Sequence, residues 1–154
     1  MKLYVIRHAQ AEDFGDVKWG DTRPLTAKGW KQATAIGDYF KKSTGRPELV
    51  LTSPVLRAEQ TAQQLCETGE LESPHIVEWL RCGMRPEQAV SELKAYESFE
   101  RVVIVGHNPD LYFLLQHLLV EGDAPRHVKK ASVTVLENLK LTNSRAQLEE
   151  VLHF

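Results

Sequence analysis

Two histidines and two arginines of this chain combine in a way that suits phosphoryl chemistry: Arg7, His8, Arg57 and His107. Guanidinium groups stay charged and hold a phosphate dianion through paired hydrogen bonds. A neutral imidazole attacks phosphorus when a hydrogen bond on one ring nitrogen orients the other. We therefore expect His8 to act as the nucleophile. A protonated His107 would stabilise the negative charge that develops in the transition state.

The elements that must position these residues follow from the spacing of apolar side chains. Short apolar runs alternate with helical patterns, which is typical of βαβ units around a mostly parallel sheet with a possible antiparallel edge. The pattern predicts strands at 3–6, 49–52, 76–77, 101–105, 132–136 and 148–153. It predicts helices from the N-cap Thr26 to 42, and over 55–66, 86–96 and 109–120. No linker or repeat interrupts the chain, so we expect a single domain over residues 1–154.

This topology predicts where the four residues meet. Ligands of open α/β sheets bind beyond the carboxyl ends of the strands. Arg7 and His8 follow the first predicted strand, Arg57 lies one turn into the helix after the second, and His107 follows the strand 101–105. The amino ends of two helices converge there, and their free N–H groups suit an anion. Each residue alone is common as a structural residue, and the joint pattern is what indicates a phosphate site.

Composition excludes several classes of function. With 19 basic and 21 acidic residues the formal charge is −2, so the whole chain has no attraction for nucleic acid or an anionic membrane. Any positive field must be local. The longest apolar stretch is too short to cross a bilayer, and the first residues lack the pattern of a signal peptide. We therefore expect a cytoplasmic protein.

Three motifs resemble those of the histidine phosphatase superfamily: Arg7-His8-Ala9, the stretch from Leu51 to Thr61, and Val105-Gly106-His107. The stretch from Arg23 to Gly29 and the short length resemble its small SixA-like phosphohistidine phosphatase branch. The resemblance implies a phosphoglycerate mutase-like fold, a three-layer α/β/α sandwich. It also implies a phosphohistidine intermediate on His8, phosphoryl binding by Arg7, Arg57 and His107, and no metal or other cofactor.

Further site residues are less closely specified. Ser53 and Asn108 stand where they could add hydrogen bonds to the phosphoryl group. Larger members of the superfamily use a carboxylate to protonate the leaving oxygen. Glu78 and Asp13 are the candidates here, and a solvated surface role for Glu78 is at least as consistent with the sequence. A missing acid would favour a P–N substrate, because protonated imidazole is already a good leaving group.

The substrate is predicted from the absence of long insertions. An open site suits a phosphohistidine presented by a partner protein, such as a phosphotransfer domain. The alternatives are a small phosphate ester of a sugar or nucleotide, and, more remotely, a phosphate-binding module without turnover. The loop after His8 holds Phe14 and Trp19, which could form one wall of the site or anchor the loop.

Other phosphatase and metal chemistries are not supported. A cysteine phosphatase requires an arginine six residues after its cysteine, and Cys66 and Cys82 are followed at that distance by Glu72 and Gln88. We expect both cysteines to be reduced packing residues. A zinc site built on the two histidines would be opposed by the flanking arginines.

Overall fold

The fold is described from a computed structural model that covers residues 1–13 and 21–154. Phe14 and Trp19, the aromatic residues of the loop after His8, lie outside the described residues. Within the described part, six strands form one sheet and four α-helices cover it. None of the helices in that part of the chain is long and apolar enough to cross a membrane.

The sheet confirms the predicted α/β fold. Its strands are β1 (Lys2–Arg7), β2 (Leu49–Thr52), β3 (His75–Ile76), β4 (Arg101–Gly106), β5 (Ser132–Lys140) and β6 (Arg145–His153). They lie in the order β3-β2-β4-β1-β5-β6, and the first four are parallel. The last two form an antiparallel hairpin that pairs with β1 through β5. The sheet is therefore mostly parallel with an antiparallel edge.

The helices are α1 (Ala27–Lys42), α2 (Leu56–Gly69), α3 (Pro86–Leu93) and α4 (Asp110–Leu118). Thr26 is the N-cap of α1, as predicted, because its hydroxyl accepts a hydrogen bond from the Gly29 N–H at 3.0 Å. Pro86 begins α3 in the first turn, where a missing N–H leaves no helical hydrogen bond unmade.

Two hydrophobic cores lie on opposite faces of the sheet, because successive strand residues point to opposite sides. Leu3 and Val5 of β1 pack on one face with α3 and α4, whereas Tyr4 and Ile6 pack on the other with α1 and α2. The buried residues of β4 divide in the same way. The result is the three-layer α/β/α arrangement.

Several predicted boundaries were wrong by a few residues. The second helix continues past Cys66 to Gly69, where Glu70 takes the left-handed conformation with φ 53° and ends it. The helix predicted to reach Tyr96 ends at Leu93 and continues as a 3-10 turn. The strand predicted at 76–77 is His75–Ile76, the helix predicted over 109–120 is Asp110–Leu118, and the hairpin strands extend to Lys140 and back to Arg145.

Candidate active site

The carboxyl ends of β1, β4 and β2 lie side by side, and the candidate residues follow these three ends. The His8 N–H bonds the Gly106 carbonyl oxygen at 3.1 Å, and the Ser53 N–H bonds the Val105 carbonyl oxygen at 3.0 Å. The parallel ladder is thus extended by one residue beyond each strand. Because parallel strands end at one edge, His8, His107 and the start of α2 meet there, as the topology predicted.

His8 is buried, and its ring is oriented at both nitrogens. Its Nδ1 lies 2.8 Å from the Ala9 carbonyl oxygen, and its Nε2 accepts a hydrogen bond from Arg57 Nε at 3.2 Å. Because a carbonyl only accepts, Nδ1 carries the proton and Nε2 keeps its lone pair. Burial, reinforced by the charge of Arg57, lowers the pKa of His8 to about 3. The ring is therefore neutral near pH 7, with one defined tautomer.

Thr61 of α2 links His8 to Arg57 through the backbone. Its hydroxyl donates to the Arg57 carbonyl oxygen at 2.7 Å and accepts from the Ala9 N–H at 3.0 Å. Ala9 in turn accepts from His8, and Arg57 donates to His8, so these contacts close a circuit of hydrogen bonds. Thr61 itself is fully buried. The circuit therefore fixes the position of the His8 ring relative to Arg57.

His107 faces His8 with a ring-centroid distance of 5.4 Å. Its Nε2 lies 2.8 Å from the Ser53 hydroxyl, while its Nδ1 is buried and has no hydrogen-bond partner among the described residues. Burial, followed by the charge of Arg57, lowers the pKa of His107 to about 4. Near pH 7 the ring is therefore neutral, and a negative charge beside it favours the protonated form.

The two arginines add positive charge to the same small space. Arg7 Nη1 donates to the Val128 carbonyl oxygen at 2.9 Å, and its buried Nε has no partner in the part of the chain that the structure describes. Arg57 is only 8% exposed, and its Nη2 lies 3.8 Å from Cys82 Sγ. Burial lowers the pKa of both guanidinium groups, and Arg57 lowers that of Arg7 further. Such a concentration of cationic groups is stabilised by an anion.

Ser53 and Asn108 are engaged in contacts that orient other parts of the site. The Ser53 hydroxyl accepts from the Val55 N–H at 3.2 Å as well as contacting His107. The Asn108 amide nitrogen donates to the Val128 carbonyl oxygen at 3.3 Å, and its buried Oδ1 has no partner within the described residues. A free amide oxygen accepts but does not donate, so it does not suit an unprotonated phosphoryl oxygen.

The two candidate proton donors are placed differently from the histidines. Glu78 has a side chain 77% exposed, and it accepts from Arg81 Nε at 3.2 Å. Arg81 also pairs with Asp21 at 2.9 Å, and the charge of Asp21 opposes the lowering of the His107 pKa. Asp13 is exposed and borders the residues outside the described part. The Glu78 carboxylate is thus exposed and hydrogen-bonded to a guanidinium group, whereas the two histidines are buried.

The described residues contain neither a metal-binding cluster nor a disulfide. In residues 1–13 and 21–154, no three or more His, Cys, Asp or Glu residues are grouped to hold a metal ion. Both cysteines are free. Cys66 packs in the core as predicted, and burial raises the pKa of its thiol to about 12. The packing role predicted for Cys82 was wrong, because it is exposed beside Arg57.

Comparison with known proteins identifies the family to which this arrangement belongs. The family model of the histidine phosphatase superfamily (branch 1) matches residues 3–81. The chain belongs to this superfamily. The matched part of the chain includes His8, Arg57 and the whole hydrogen-bond circuit through Thr61.

Individual relatives match most of the length of this chain. It is 33% identical over 117 residues to an uncharacterised protein of Picosynechococcus, covering 72% of this chain and 68% of the relative. It is 28% identical over 138 residues to the phosphohistidine phosphatase SixA of Escherichia coli, covering 88% and 84%. A solved structure of SixA with tungstate has a TM-score of 0.87 at 23% identity, covering 99% of this chain and 97% of that one, and it shows the shared fold.

Two parts of the site were not predicted from sequence. Thr61 belongs to the motif that carries the resemblance, yet its linking role required the contact between α2 and Ala9. The Val128 carbonyl oxygen, which holds both Arg7 and Asn108, has no signal in the sequence because a backbone atom is common to every residue.

Proposed function

We propose that this histidine phosphatase removes the phosphoryl group from phosphohistidine on a partner protein, through a phosphorylated His8 intermediate and without a metal. The observation that supports this proposal is the tautomer of the buried His8 ring. Its Nδ1 proton is held by the Ala9 carbonyl oxygen, which leaves Nε2 as a lone pair beside Arg57. A buried neutral imidazole of defined tautomer is a competent nucleophile toward phosphorus.

In the first step, Nε2 of His8 forms a bond to phosphorus while the P–N bond to the substrate imidazole breaks. The substrate ring carries a proton on its other nitrogen, so it leaves as neutral histidine. His8 carries its own proton on Nδ1, and phospho-His8 forms with the same net charge that the substrate had. The transfer therefore balances without a carboxylic acid, in agreement with the engagement of Glu78 by Arg81.

In the second step, water attacks the phosphorus of phospho-His8. The P–N bond breaks, its electron pair returns to Nε2, and dihydrogen phosphate leaves. The cations of Arg7 and Arg57 stabilise the negative charge of the transferring group in both steps. His107 adds to this stabilisation once the bound anion raises its proton affinity, and Ser53 orients its ring.

A small phosphate ester is the competing substrate, and it makes a different chemical demand. An alkoxide leaving group requires a proton, so an ester substrate would need Asp13, Glu78 or Asp21 as a donor. The exposure of Glu78 and its contact with Arg81 favour the P–N substrate.

The test is phosphate release, in excess EDTA, from a phosphohistidine-bearing phosphotransfer domain and from a panel of phosphosugars and nucleotides. We expect the phosphoprotein to be the preferred substrate. Acid-labile, base-stable label should appear on the enzyme during turnover and be absent from His8→Ala. The matched control is His75→Ala, which removes an exposed histidine of β3 and should leave the label intact.

The possible results separate the proposals. Full activity in His8→Ala would exclude the intermediate. Turnover confined to the small phosphates would retain the nucleophile and overturn the phosphohistidine substrate. Absence of turnover on every substrate, together with anion binding, would favour a binding module.

A further inference from the structure

Two shallow grooves meet at Arg7, and basic side chains line both of them. The first, of about 500 Å³, runs past Arg126 and Lys129. The second, of about 400 Å³, runs past Lys28, Lys129 and Lys130. Arg7 and Lys129 belong to both. We call Lys28, Arg126, Lys129 and Lys130 the basic rim.

The basic rim is a local excess of positive charge on a chain of net charge −2. Neither groove has an aspartate or glutamate side chain in its lining. All four rim residues are exposed, and none forms an ion pair with any residue in 1–13 or 21–154. Arg81 differs, since it is paired with Asp21 and Glu78. Four cations without an ion pair among the described residues therefore lie along the two grooves at Arg7.

Hydrogen bonds hold the backbone of the segment that contains Lys129 and Lys130 against Arg7 and His8. The Val128 carbonyl oxygen, between Arg126 and Lys129, accepts from Arg7 Nη1 at 2.9 Å. The Ala131 N–H, next to Lys130, lies 3.1 Å from the Arg7 carbonyl oxygen and 3.2 Å from that of His8. Lys129 and Lys130 are thus held at both ends of the segment 128–131 against Arg7 and His8, the residues proposed to bind the phosphoryl group and to attack it.

The form of the rim suits an acidic protein surface. A subsite for a small anion is built from buried polar groups that converge on one point. The four rim side chains are instead exposed and distributed along two grooves that share Arg7 and Lys129. We propose that the basic rim docks acidic residues that flank the phosphohistidine of the partner protein. This inference rests on the proposed function and adds to it the charge of the partner.

Such a rim would affect the rate at which the enzyme associates with the partner protein and its preference among partners. Complementary charges increase association rates by about 10- to 1,000-fold at low salt, and screening removes most of this gain. The expected signature is therefore a change in kcat/KM that depends on salt, with kcat for bound substrate preserved.

The test uses two synthetic phosphohistidine peptides, one flanked by aspartate and glutamate and the other flanked by lysine. The variant is Arg126→Glu/Lys129→Glu, and free phosphohistidine is the uncharged-flank reference. The matched control, Lys42→Glu/Lys140→Glu, changes the net charge equally at exposed residues that line neither groove.

We expect the unmodified enzyme and the matched control to prefer the acidic peptide by about tenfold or more in kcat/KM at low salt. The rim variant should reverse this preference, and high salt should reduce both differences. Turnover of free phosphohistidine should stay within about twofold in all three proteins.

Equal preference for the two peptides in the unmodified enzyme, with normal turnover of free phosphohistidine, would overturn the rim and leave the phosphatase activity standing. An equal loss on free phosphohistidine and on both peptides in the rim variant would also overturn docking, because it would make the rim part of the phosphoryl site. Turnover of phosphate esters but of no phosphohistidine compound would instead overturn the proposed function itself.

Discussion

The Thr61 hydroxyl connects the backbone of Ala9, next to the proposed nucleophile His8, to the backbone of Arg57. Replacing it by Thr61→Val keeps the shape and removes both hydrogen bonds. We expect the rate of His8 phosphorylation to fall by about 10- to 100-fold, as is usual when a supporting hydrogen bond of a site is lost. Quenched-flow measurement of phosphoenzyme formation gives this rate.

A positioning role and a merely structural one differ in their effect on the His8 tautomer. Nitrogen chemical shifts of His8 should report one tautomer, with the proton on Nδ1, in the unmodified enzyme and a mixture in Thr61→Val. Thr61→Ser retains a hydroxyl and should restore both the rate and the single tautomer. An unchanged rate and tautomer in Thr61→Val would show that the circuit does not position His8.

His107 is expected to take up a proton when an anion binds. Burial and the charge of Arg57 lower its pKa to about 4, so it is neutral at pH 7, and a dianion beside it favours the protonated form. Sulfate is the suitable probe because it does not itself titrate near neutral pH. Calorimetry of sulfate binding in buffers of different ionisation enthalpy should show proton uptake, and His107→Gln should abolish it. Identical heats in all buffers would mean that His107 stays neutral.

At the scale of elements, the close approach of α1 to α2 keeps the two helices against one face of the sheet. A Cβ on Gly37 would overlap Thr68 Oγ1 and lie 2.7 Å from the Leu65 carbonyl oxygen. Because a backbone atom cannot move aside cheaply, Gly37→Ala should lower the free energy of unfolding by about 1–3 kcal/mol in urea denaturation. Gly45→Ala is the control, since the three atoms nearest its Cβ would all belong to the flexible end of the Arg101 side chain. Equal stability of the two variants would contradict this packing.

The observed ends of the helices and strands show which boundaries could be predicted from local sequence signals. The Thr26 cap and the strand Leu49–Thr52 were predicted at their observed positions because capping and apolar patterning are local. The end of α2 was missed because it depends on Glu70 adopting the left-handed conformation. Glycine is the usual signal for that conformation, and glutamate does not carry it.

For the whole molecule, the buried histidines couple stability to pH. Their pKa values of about 3 for His8 and about 4 for His107 lie below the ordinary 6.5, so the unfolded chain binds protons first as pH falls. Stability is therefore full above about pH 6.5 and declines toward pH 4. We expect a loss of about 1–2 kcal/mol for each histidine between pH 6.5 and 5, measured by urea denaturation.

Carboxylates also titrate toward acid pH, so the histidine contribution is isolated by comparison with His8→Gln. That variant should show a shallower decline over the same range, by about the contribution of one histidine. A decline as steep as that of the unmodified enzyme would mean that His8 does not remain neutral in the folded state.

The residues that follow the strand ends could be predicted from the sequence, because residue type and the position after a strand are both local properties. Arg7, His8, Arg57 and His107 could be selected on that basis, since adjacent parallel strands bring their carboxyl ends to one edge. The α/β fold followed from the same alternation of apolar runs and helical patterns.

The tertiary structure decided the properties that depend on contacts between distant segments. It keeps the His8 proton on Nδ1, where it is donated to the Ala9 carbonyl oxygen. It also pairs Glu78 with Arg81 and brings the basic segment around Val128 against Arg7. Protonation state and free charge depend on burial and on neighbours in space, and neither is encoded by spacing along the chain. The sequence by itself therefore determined which residues are available for phosphoryl chemistry. The packed fold determined the protonation states and the contacts of those residues.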